Sequence, residues 1–173
     1  MEKRIIVAYA SIHGSTQEVA ECIAETIREQ GVIVDLQPAS KVKTLECYQG
    51  VILGSALYIG HMNKHALNFL SRFKNMISNG IPIAIFAGGP LKLEDDPQEI
   101  QGMLYQDLAK YPWLKPVSVE LIGGRFDPSK GVKFPWNLLP AVKNMEASDI
   151  RDWNAIKKWA VNVSEQLLPA WSR

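Results

Sequence analysis

The chain has 173 residues, of which 47% are hydrophobic and 21% are charged, and its formal net charge is +1. This size and composition predict one globular domain spanning residues 1–173, and the balanced charge gives no basic excess for binding nucleic acid. No apolar run approaches the roughly 18 residues of a membrane-spanning helix. The first four residues lead into a strand without an apolar leader, so we expect a cytoplasmic protein.

The first predicted strand covers residues 5–10 and ends in a short loop rich in hydroxyl groups. Apolar residues then recur at helical spacing over residues 17–30, and Gly31 is suited to ending that helix. Backbone N–H groups at such a helix start, together with the helix dipole, stabilise a phosphate. Ser11, Ser15 and Thr16 add hydroxyl donors, and Gly14 allows close approach of the backbone. No lysine or arginine lies between residues 8 and 25, so this loop predicts a phosphate bound by neutral donors.

Three better-known phosphate or phosphoryl sites are excluded at this position. Gly14 is the only glycine in the turn, so neither the Gly-x4-Gly-Lys-Ser/Thr loop nor the Gly-x-Gly-x-x-Gly loop is present. A phosphate-accepting receiver domain would need an aspartate at the end of the third strand, where this chain has Gly54 and Ser55. An ordinary strand-to-helix turn capped by Ser or Thr remains an alternative for the loop taken alone.

Further apolar segments alternate with helical patterns along the chain. The later strands are predicted at residues 32–36, 51–55, 83–87 and 115–122, and the later helices within 37–49, over 63–78, over 98–109 and from 152 onward. In the last helix, Trp153 belongs to the stripe that is expected to pack on the sheet. The pattern predicts an α/β fold with a doubly wound, five-stranded parallel sheet in the order 2-1-3-4-5 and helices on both faces. In that order the loops after strands one, three and four meet at a ligand crevice.

The loop after the third strand supplies apolar and aromatic groups, which suit a flat heterocycle. Tyr58 is the predicted stacking residue. His61 and His65 have the spacing of a metal pair, but no third ligand is evident, so we expect surface histidines and no metal site. Cys22 and Cys47 are expected to be reduced thiols without a chemical role.

The segment 123–150 is longer than an ordinary connection and is predicted to be an insertion at the carboxyl edge of the sheet. Its stretch 134–142 contains Phe134, Trp136, Leu138 and Leu139. These side chains predict an apolar cover, a partner surface or a peripheral membrane contact. The alternative is an insertion that folds onto its own domain for stability.

Several segments together resemble the flavodoxin family. Ser11, Gly14 and Thr16 match its phosphate loop, Ser/Thr-x-x-Gly-x-Thr. Segments 10–16, 54–61, 123–127 and 152–156 resemble the flavodoxin-domain branch that includes menaquinone-dependent protoporphyrinogen oxidase. The resemblance implies FMN as cofactor. It also implies these cofactor-binding residues: Ser11, His13, Gly14, Ser15 and Thr16 for the phosphate, and Ser55, Ala56, Leu57, Tyr58, Gly60, Ala87, Gly88, Gly89 and Pro90 around the ring.

The function implied is that of an FMN-dependent oxidoreductase with two-electron chemistry toward a quinone or a porphyrinogen-like hydrophobic partner. The alternative is a flavodoxin-type one-electron carrier without its own substrate, and a third reading is a module that has lost the flavin. Carrier flavodoxins dock through acidic surfaces, whereas this chain is charge-balanced, which favours the enzyme. The loop 87–92 differs from that of porphyrinogen-oxidising members, so the resemblance does not extend to the substrate. With no acid in residues 55–64, we expect flavin reduction to proceed largely as a two-electron step.

Overall fold

The computed structural model describes residues 2–11, 13–58, 60–89, 95–130, 136–138, 140 and 144–168. Within these residues the strands are β1 (Arg4–Ala10), β2 (Ile33–Pro38), β3 (Gly50–Tyr58), β4 (His61–Met62), β5 (Ile83–Gly88), β6 (Ser118–Ile122), β7 (Arg125–Phe126) and β8 (Ser148–Asp149). The α-helices are α1 (Ser15–Arg28), α2 (Lys64–Arg72), α3 (Lys74–Ser78), α4 (Pro97–Ala109) and α5 (Trp153–Leu167). Short 3-10 turns lie at Pro128–Lys130 and Trp136–Leu138. No helix in the described part of the chain is long and apolar enough to span a membrane.

The main sheet confirms the predicted fold. Five parallel strands lie in the order β2-β1-β3-β5-β6, and the short β4 pairs antiparallel with β3. Parallel strands require crossover connections, which the helices supply. The strand order reverses between β1 and β3, so the loops after these strands open into one crevice.

Two apolar cores cover the faces of the sheet. On one face, α1 and α5 pack through residues such as Ile23, Val163 and Trp159. On the other face, α2 and α4 pack through residues such as Phe69 and Leu104. Both faces of β1, β3 and β5 are therefore buried, which explains why these strands are continuously apolar.

Gly54 is required where β3 and β5 pair. It lies opposite Phe86 in the strand register. A Cβ at position 54 would lie 2.6 Å from Phe86 Cε1 and 2.7 Å from Cε2. The Phe86 ring is 1% exposed and packs edge-on against Trp159, with ring centroids 6.1 Å apart. Phe86 thus occupies the space that a side chain at position 54 would need.

The helix predicted within residues 37–49 is wrong. The chain there forms turns, and Ala39, Val42, Leu45 and Tyr48 are all buried. Their spacing of three residues imitates a helix, but each side chain reaches the core from an irregular segment. The Tyr48 hydroxyl donates to Asp35 Oδ2 at 2.7 Å and so fixes the segment to β2.

Two further helical predictions need correction. The helix expected over residues 63–78 is divided at Phe73, whose φ of −101° and ψ of 14° interrupt the regular geometry between α2 and α3. In α5, Trp153 does not pack on the sheet. It is 37% exposed, and the Arg151 guanidinium lies 4.6 Å from its ring centroid. Trp159, which was not assigned to the predicted stripe, is buried instead.

The segment 123–150 begins and ends in the two-stranded sheet β7-β8, with Arg125 paired to Asp149 and Phe126 paired to Ser148. Gly123 allows its two ends to meet, because a Cβ there would overlap the backbone of Ile150. Of the predicted apolar stretch, Leu138 is 67% exposed. Phe134, Leu139 and the side chain of Trp136 lie outside the described residues, so the apolar cover, the partner surface and the membrane contact stay predictions.

Candidate functional site

The first loop of the site joins β1 to α1. Gly14 is the residue before the helix and has φ +87°, a left-handed conformation that favours glycine. Its N–H donates to Ser11 Oγ at 3.0 Å, which closes the turn. Among the residues that the structure describes, no side chain caps the start of α1, so the N–H groups of its first turn, from Ser15 onward, are available to an anion.

The second loop is a hairpin. β3 continues to Tyr58, and the chain folds back so that Leu57 pairs with Met62 and Tyr58 pairs with His61. Gly60, at the turn, has φ +77°, and a Cβ there would overlap Met103 of α4. Ala56, Leu57 and Tyr58 are all partly exposed at this edge of the sheet.

Ser55 supports this hairpin from behind. Its side chain is fully buried, and its hydroxyl donates to the Ala56 carbonyl at 3.0 Å and accepts from the Asn63 N–H at 2.9 Å. Asn63 in turn caps α2 by accepting from the His65 N–H at 2.8 Å. Ser55 therefore anchors the start of α2 to the end of β3 and offers no surface to a ligand.

The third loop follows β5. Ala87 is fully buried, Gly88 is partly exposed, and the Gly89 N–H donates to the Ile122 carbonyl at 2.8 Å. A Cβ on Gly89 would lie 3.6 Å from Leu57 Cδ1, so this loop borders the hairpin. Pro90 lies outside the described residues.

The three loops meet at the carboxyl edge of the sheet. The rings of His13 and Tyr58 make an edge-to-face contact with centroids 6.3 Å apart, which joins the first loop to the hairpin. Thr16, which is 3% exposed, has its Oγ1 3.7 Å from the position of a Cβ on Gly88, which joins the first loop to the third. An uncapped helix start thus lies next to an aromatic and apolar surface.

Asp107 of α4 belongs to this region, although the sequence patterns did not predict a role for it. It is 1% exposed, its Oδ2 accepts from the Met62 N–H at 2.8 Å, and its Oδ1 lies 2.7 Å from Lys110 Nζ and 3.3 Å from His61 Nδ1. Burial alone would raise the pKa of Asp107, but these three partners outweigh it and hold the pKa below its usual value. A buried carboxylate therefore holds the hairpin behind Tyr58. An Asp and a Lys three residues apart on a helix indicate only a surface pair in sequence.

A cluster of charged side chains beside the first loop was also missed. It consists of Glu18, Arg125, Asp127, Asp149 and Arg151, and we call it the ionic cluster. It attaches both ends of the segment 123–150 to the first turns of α1. Arg151 Nη1 lies 3.4 Å from the Ser15 carbonyl. The first loop has no basic residue in its own sequence, but the fold brings two arginines beside it.

The two histidines that were considered as a metal pair, His61 and His65, lie in different surroundings. His65 is exposed on α2, and His61 points to Asp107. In the part of the chain that the structure describes, no group of three or more His, Cys, Asp or Glu side chains is placed to hold a metal ion.

Comparison with known proteins shows the family. The model of the family described as "Flavodoxin domain" matches residues 6–149. The NAD(P)H dehydrogenase (quinone) of Bradyrhizobium diazoefficiens is 25% identical over 99 residues, which covers 44% of this chain and 50% of that protein. The protein of the same name from Methylocella silvestris is 26% identical over 91 residues, covering 40% of this chain and 46% of that protein. The chain thus spans about half the length of these curated relatives.

Solved structures agree with the fold. Oxidised flavodoxin 2 from Bacillus cereus has a TM-score of 0.61 at 21% identity, covering 94% of this chain and 99% of that chain. The flavodoxin of Streptococcus pneumonia TIGR4 has a TM-score of 0.62 at 13% identity, covering 94% and 99%. The family match extends over most of the sequence, and the observed crevice joins the start of α1 to an aromatic surface. The chain therefore belongs to the flavodoxin-domain family, whose cofactor is FMN.

Proposed function

We propose that the protein is an FMN-dependent oxidoreductase that transfers two electrons from NAD(P)H to a quinone. The observation that carries the proposal is the junction of the uncapped start of α1 with the hairpin that bears Tyr58. This junction suits a molecule with a phosphate at one end and a flat ring at the other. The donor and the acceptor are proposed from the names of the two relatives, which share part of this chain's sequence.

The predicted site residues take distinct roles in this proposal. Backbone N–H groups at the start of α1 and the hydroxyls of Ser15 and Thr16 bind the phosphate, while Ser11 and Gly14 shape the turn. The ring is bordered by the hairpin and the third loop, with Ser55 and the buried Ala87 acting as support. The ring contacts are proposed for His13, Ala56, Leu57, Tyr58, Gly60, Gly88, Gly89 and Pro90.

FMN, when bound, supplies the ability to accept and donate electrons singly or in pairs. In the proposed reaction, NAD(P)H and one proton are consumed, NAD(P)⁺ is released, and the quinone gains two electrons and two protons to become the quinol. The protein's part is to hold the ring edge open to both reactants. The apolar surface of Leu57 and Tyr58 excludes water from one side of that position.

One observation favours the alternative, a one-electron carrier. Asp107 places a buried negative charge directly behind the hairpin, and a nearby carboxylate opposes the negative charge of fully reduced flavin. Lys110 offsets part of this charge, since its Nζ lies 2.7 Å from the carboxylate. The hairpin region is therefore less neutral than its own sequence indicates.

The test is anaerobic reduction of the FMN-loaded protein by NADH or NADPH, followed by rapid mixing with a water-soluble quinone. We expect reduction and reoxidation to proceed over many turnovers. A porphyrinogen, the electron donor that the sequence resemblance implies, is tested in the same way. Reduction only by a protein reductase, without quinone turnover, would establish the carrier instead.

A pair of tyrosine variants localises the reaction. Tyr58→Ser removes the proposed ring contact and should lower quinone turnover by about tenfold or more, as expected when substrate and ring are no longer aligned. Tyr105→Ser is the matched control, because Tyr105 lies on α4 and is 48% exposed. Equal activities of the two variants would contradict the placement of the ring.

A further inference from the structure

Arg151 is an almost fully buried cation at the end of the segment 123–150. Its side chain is 3% exposed. Nη1 lies 2.7 Å from Glu18 Oε2, Nη2 lies 2.6 Å from Asp149 Oδ2, and Nε lies 2.8 Å from Asp149 Oδ1. Burying a guanidinium costs desolvation free energy, which is offset only where its N–H donors have partners. Here two carboxylates are those partners.

Arg125 binds the same carboxylate from the other end of the segment. Its Nη1 lies 2.9 Å and 3.1 Å from the two oxygens of Glu18, and its Nη2 lies 3.0 Å from Asp127 Oδ2. Glu18 therefore lies between two arginines. Burial alone would raise its pKa, but both guanidinium groups outweigh that effect and hold the pKa of Glu18 below its usual value.

The position of Glu18 on α1 makes this arrangement relevant to the cofactor. Its N–H donates to the Gly14 carbonyl at 3.0 Å, so it stands one helical turn after the start of the helix. One turn corresponds to about 5.4 Å along the axis. A carboxylate there interacts favourably with the helix dipole but repels a phosphate bound at the same helix start.

We propose that Arg125 and Arg151 are positioning residues of the phosphate site, which neutralise Glu18 and thereby raise the affinity of the first loop for the FMN phosphate. This inference rests on the proposed function, which puts that phosphate at the start of α1. Asp127 and Asp149 hold the arginines from the far side, and these five are the charged side chains of the cluster among the residues that the structure describes. The paired strands β7-β8 and the adjoining Arg151 are then functional parts of the cofactor site.

The expected change in FMN affinity on removing one of these charges follows from Coulomb's law. A unit charge about one helical turn from a phosphate of charge about −1.5 to −2, in a largely solvated site, changes phosphate affinity roughly five- to tenfold. A purely structural cluster behaves differently, because removing any member would loosen the loop and weaken binding in every case. Whether FMN affinity rises or falls when Glu18 is replaced therefore distinguishes an electrostatic role of the cluster from a purely structural one.

The experiment measures dissociation constants of the apoprotein for FMN and for riboflavin, which lacks the phosphate, by quenching of flavin fluorescence at low ionic strength. We expect Glu18→Gln to raise FMN affinity about five- to tenfold and Arg151→Met to lower it by a similar factor. Riboflavin affinity should not change in either variant. The differences should shrink at high salt, because screening weakens them.

Two further variants keep the result interpretable. Arg125→Met, at a side chain that is 28% exposed, should lower FMN affinity in the same way and replaces Arg151→Met if that variant does not fold. Arg72→Met is the matched control, because Arg72 lies on α2, donates to the Ala39 carbonyl at 2.9 Å and should leave both affinities unchanged.

A fall in FMN affinity on Glu18→Gln, or a parallel loss of riboflavin and FMN binding in the arginine variants, would overturn the proposal and leave the cluster a structural role. Unchanged FMN affinity in all variants would also overturn it while the proposed function stands. Equal affinity of the wild type for FMN and riboflavin is a separate outcome. It would refute the phosphate placement in the proposed function, and the inference with it.

Discussion

Replacement of Gly54 by alanine tests how tightly the centre of the sheet is packed below the site. The added methyl would lie 2.6 and 2.7 Å from two carbons of the Phe86 ring, where ordinary contacts are 3.4–4 Å. The ring cannot turn away easily, because it is 1% exposed and packs against Trp159. Trp159 is itself held by a 2.9 Å hydrogen bond from Nε1 to Ser118 Oγ.

Two opposing effects set the change in the free energy of unfolding caused by Gly54→Ala. Overpacking of a filled core costs about 1–3 kcal/mol, and an overlap near 1 Å against an immobile ring belongs at the upper end of that range. Restricting the unfolded chain by a Gly→Ala change returns about 0.4–1 kcal/mol. We expect the free energy of unfolding to fall by about 2 kcal/mol, which lowers Tm by about 4–8 °C for a chain of this size.

Urea unfolding of the apoprotein is the appropriate assay, because bound FMN would add its own stabilisation. Gly102→Ala is the matched control, since no described residue outside the backbone of α4 comes within 4 Å of its Cβ position and helix propensity predicts a gain of about 0.5–1 kcal/mol. Combining Gly54→Ala with Phe86→Leu removes the overlapping ring atoms, so the double variant should lose less stability than the sum of the two single variants. A Gly54→Ala protein within 0.5 kcal/mol of the wild type would refute this packing argument.

Two other predictions concern charge. Asp107→Asn keeps an acceptor for the Met62 N–H but removes the negative charge behind the hairpin. The midpoint potential of bound flavin, measured in a redox titration, should therefore rise. An unchanged potential would show that Asp107 lies too far from the ring to act on it. Acid should destabilise the protein through Glu18, Asp107 and Asp149, whose pKa values are held low in the folded state. Their contribution to the free energy of unfolding is complete above the pKa values of the unfolded chain, near 4. It is lost as the pH falls through the pKa values of the folded state. Glu120 has the opposite effect on stability in acid, since burial raises its pKa. A free energy of unfolding that rises from pH 5 to pH 3, measured by urea unfolding, would contradict the expected loss of stability in acid.

Local sequence patterns were enough to predict the five strands of the main sheet, most of the helices and the location of the three loops. These features depend on local properties: continuous apolar runs for buried strands, 3.6-residue periodicity for α1 and α2, and a small, hydroxyl-rich turn at Gly14. Right-handed crossovers then leave few topologies, so local patterns were sufficient for the fold. They failed at residues 37–49, where buried side chains spaced by three imitate a helix in an irregular segment.

The electrostatics of the site depends on contacts between residues that are far apart in the sequence. Asp107 reaches the Met62 N–H across 45 positions in the chain, and Arg151 reaches Glu18 across 133. A charged residue has the same local pattern whether it faces solvent or a distant partner, so periodicity contains no information about such pairs. The packing of α4 against the hairpin and of β7-β8 against α1 brings these charges together, because burial of a carboxylate or guanidinium is stable only where an opposite partner is already in place.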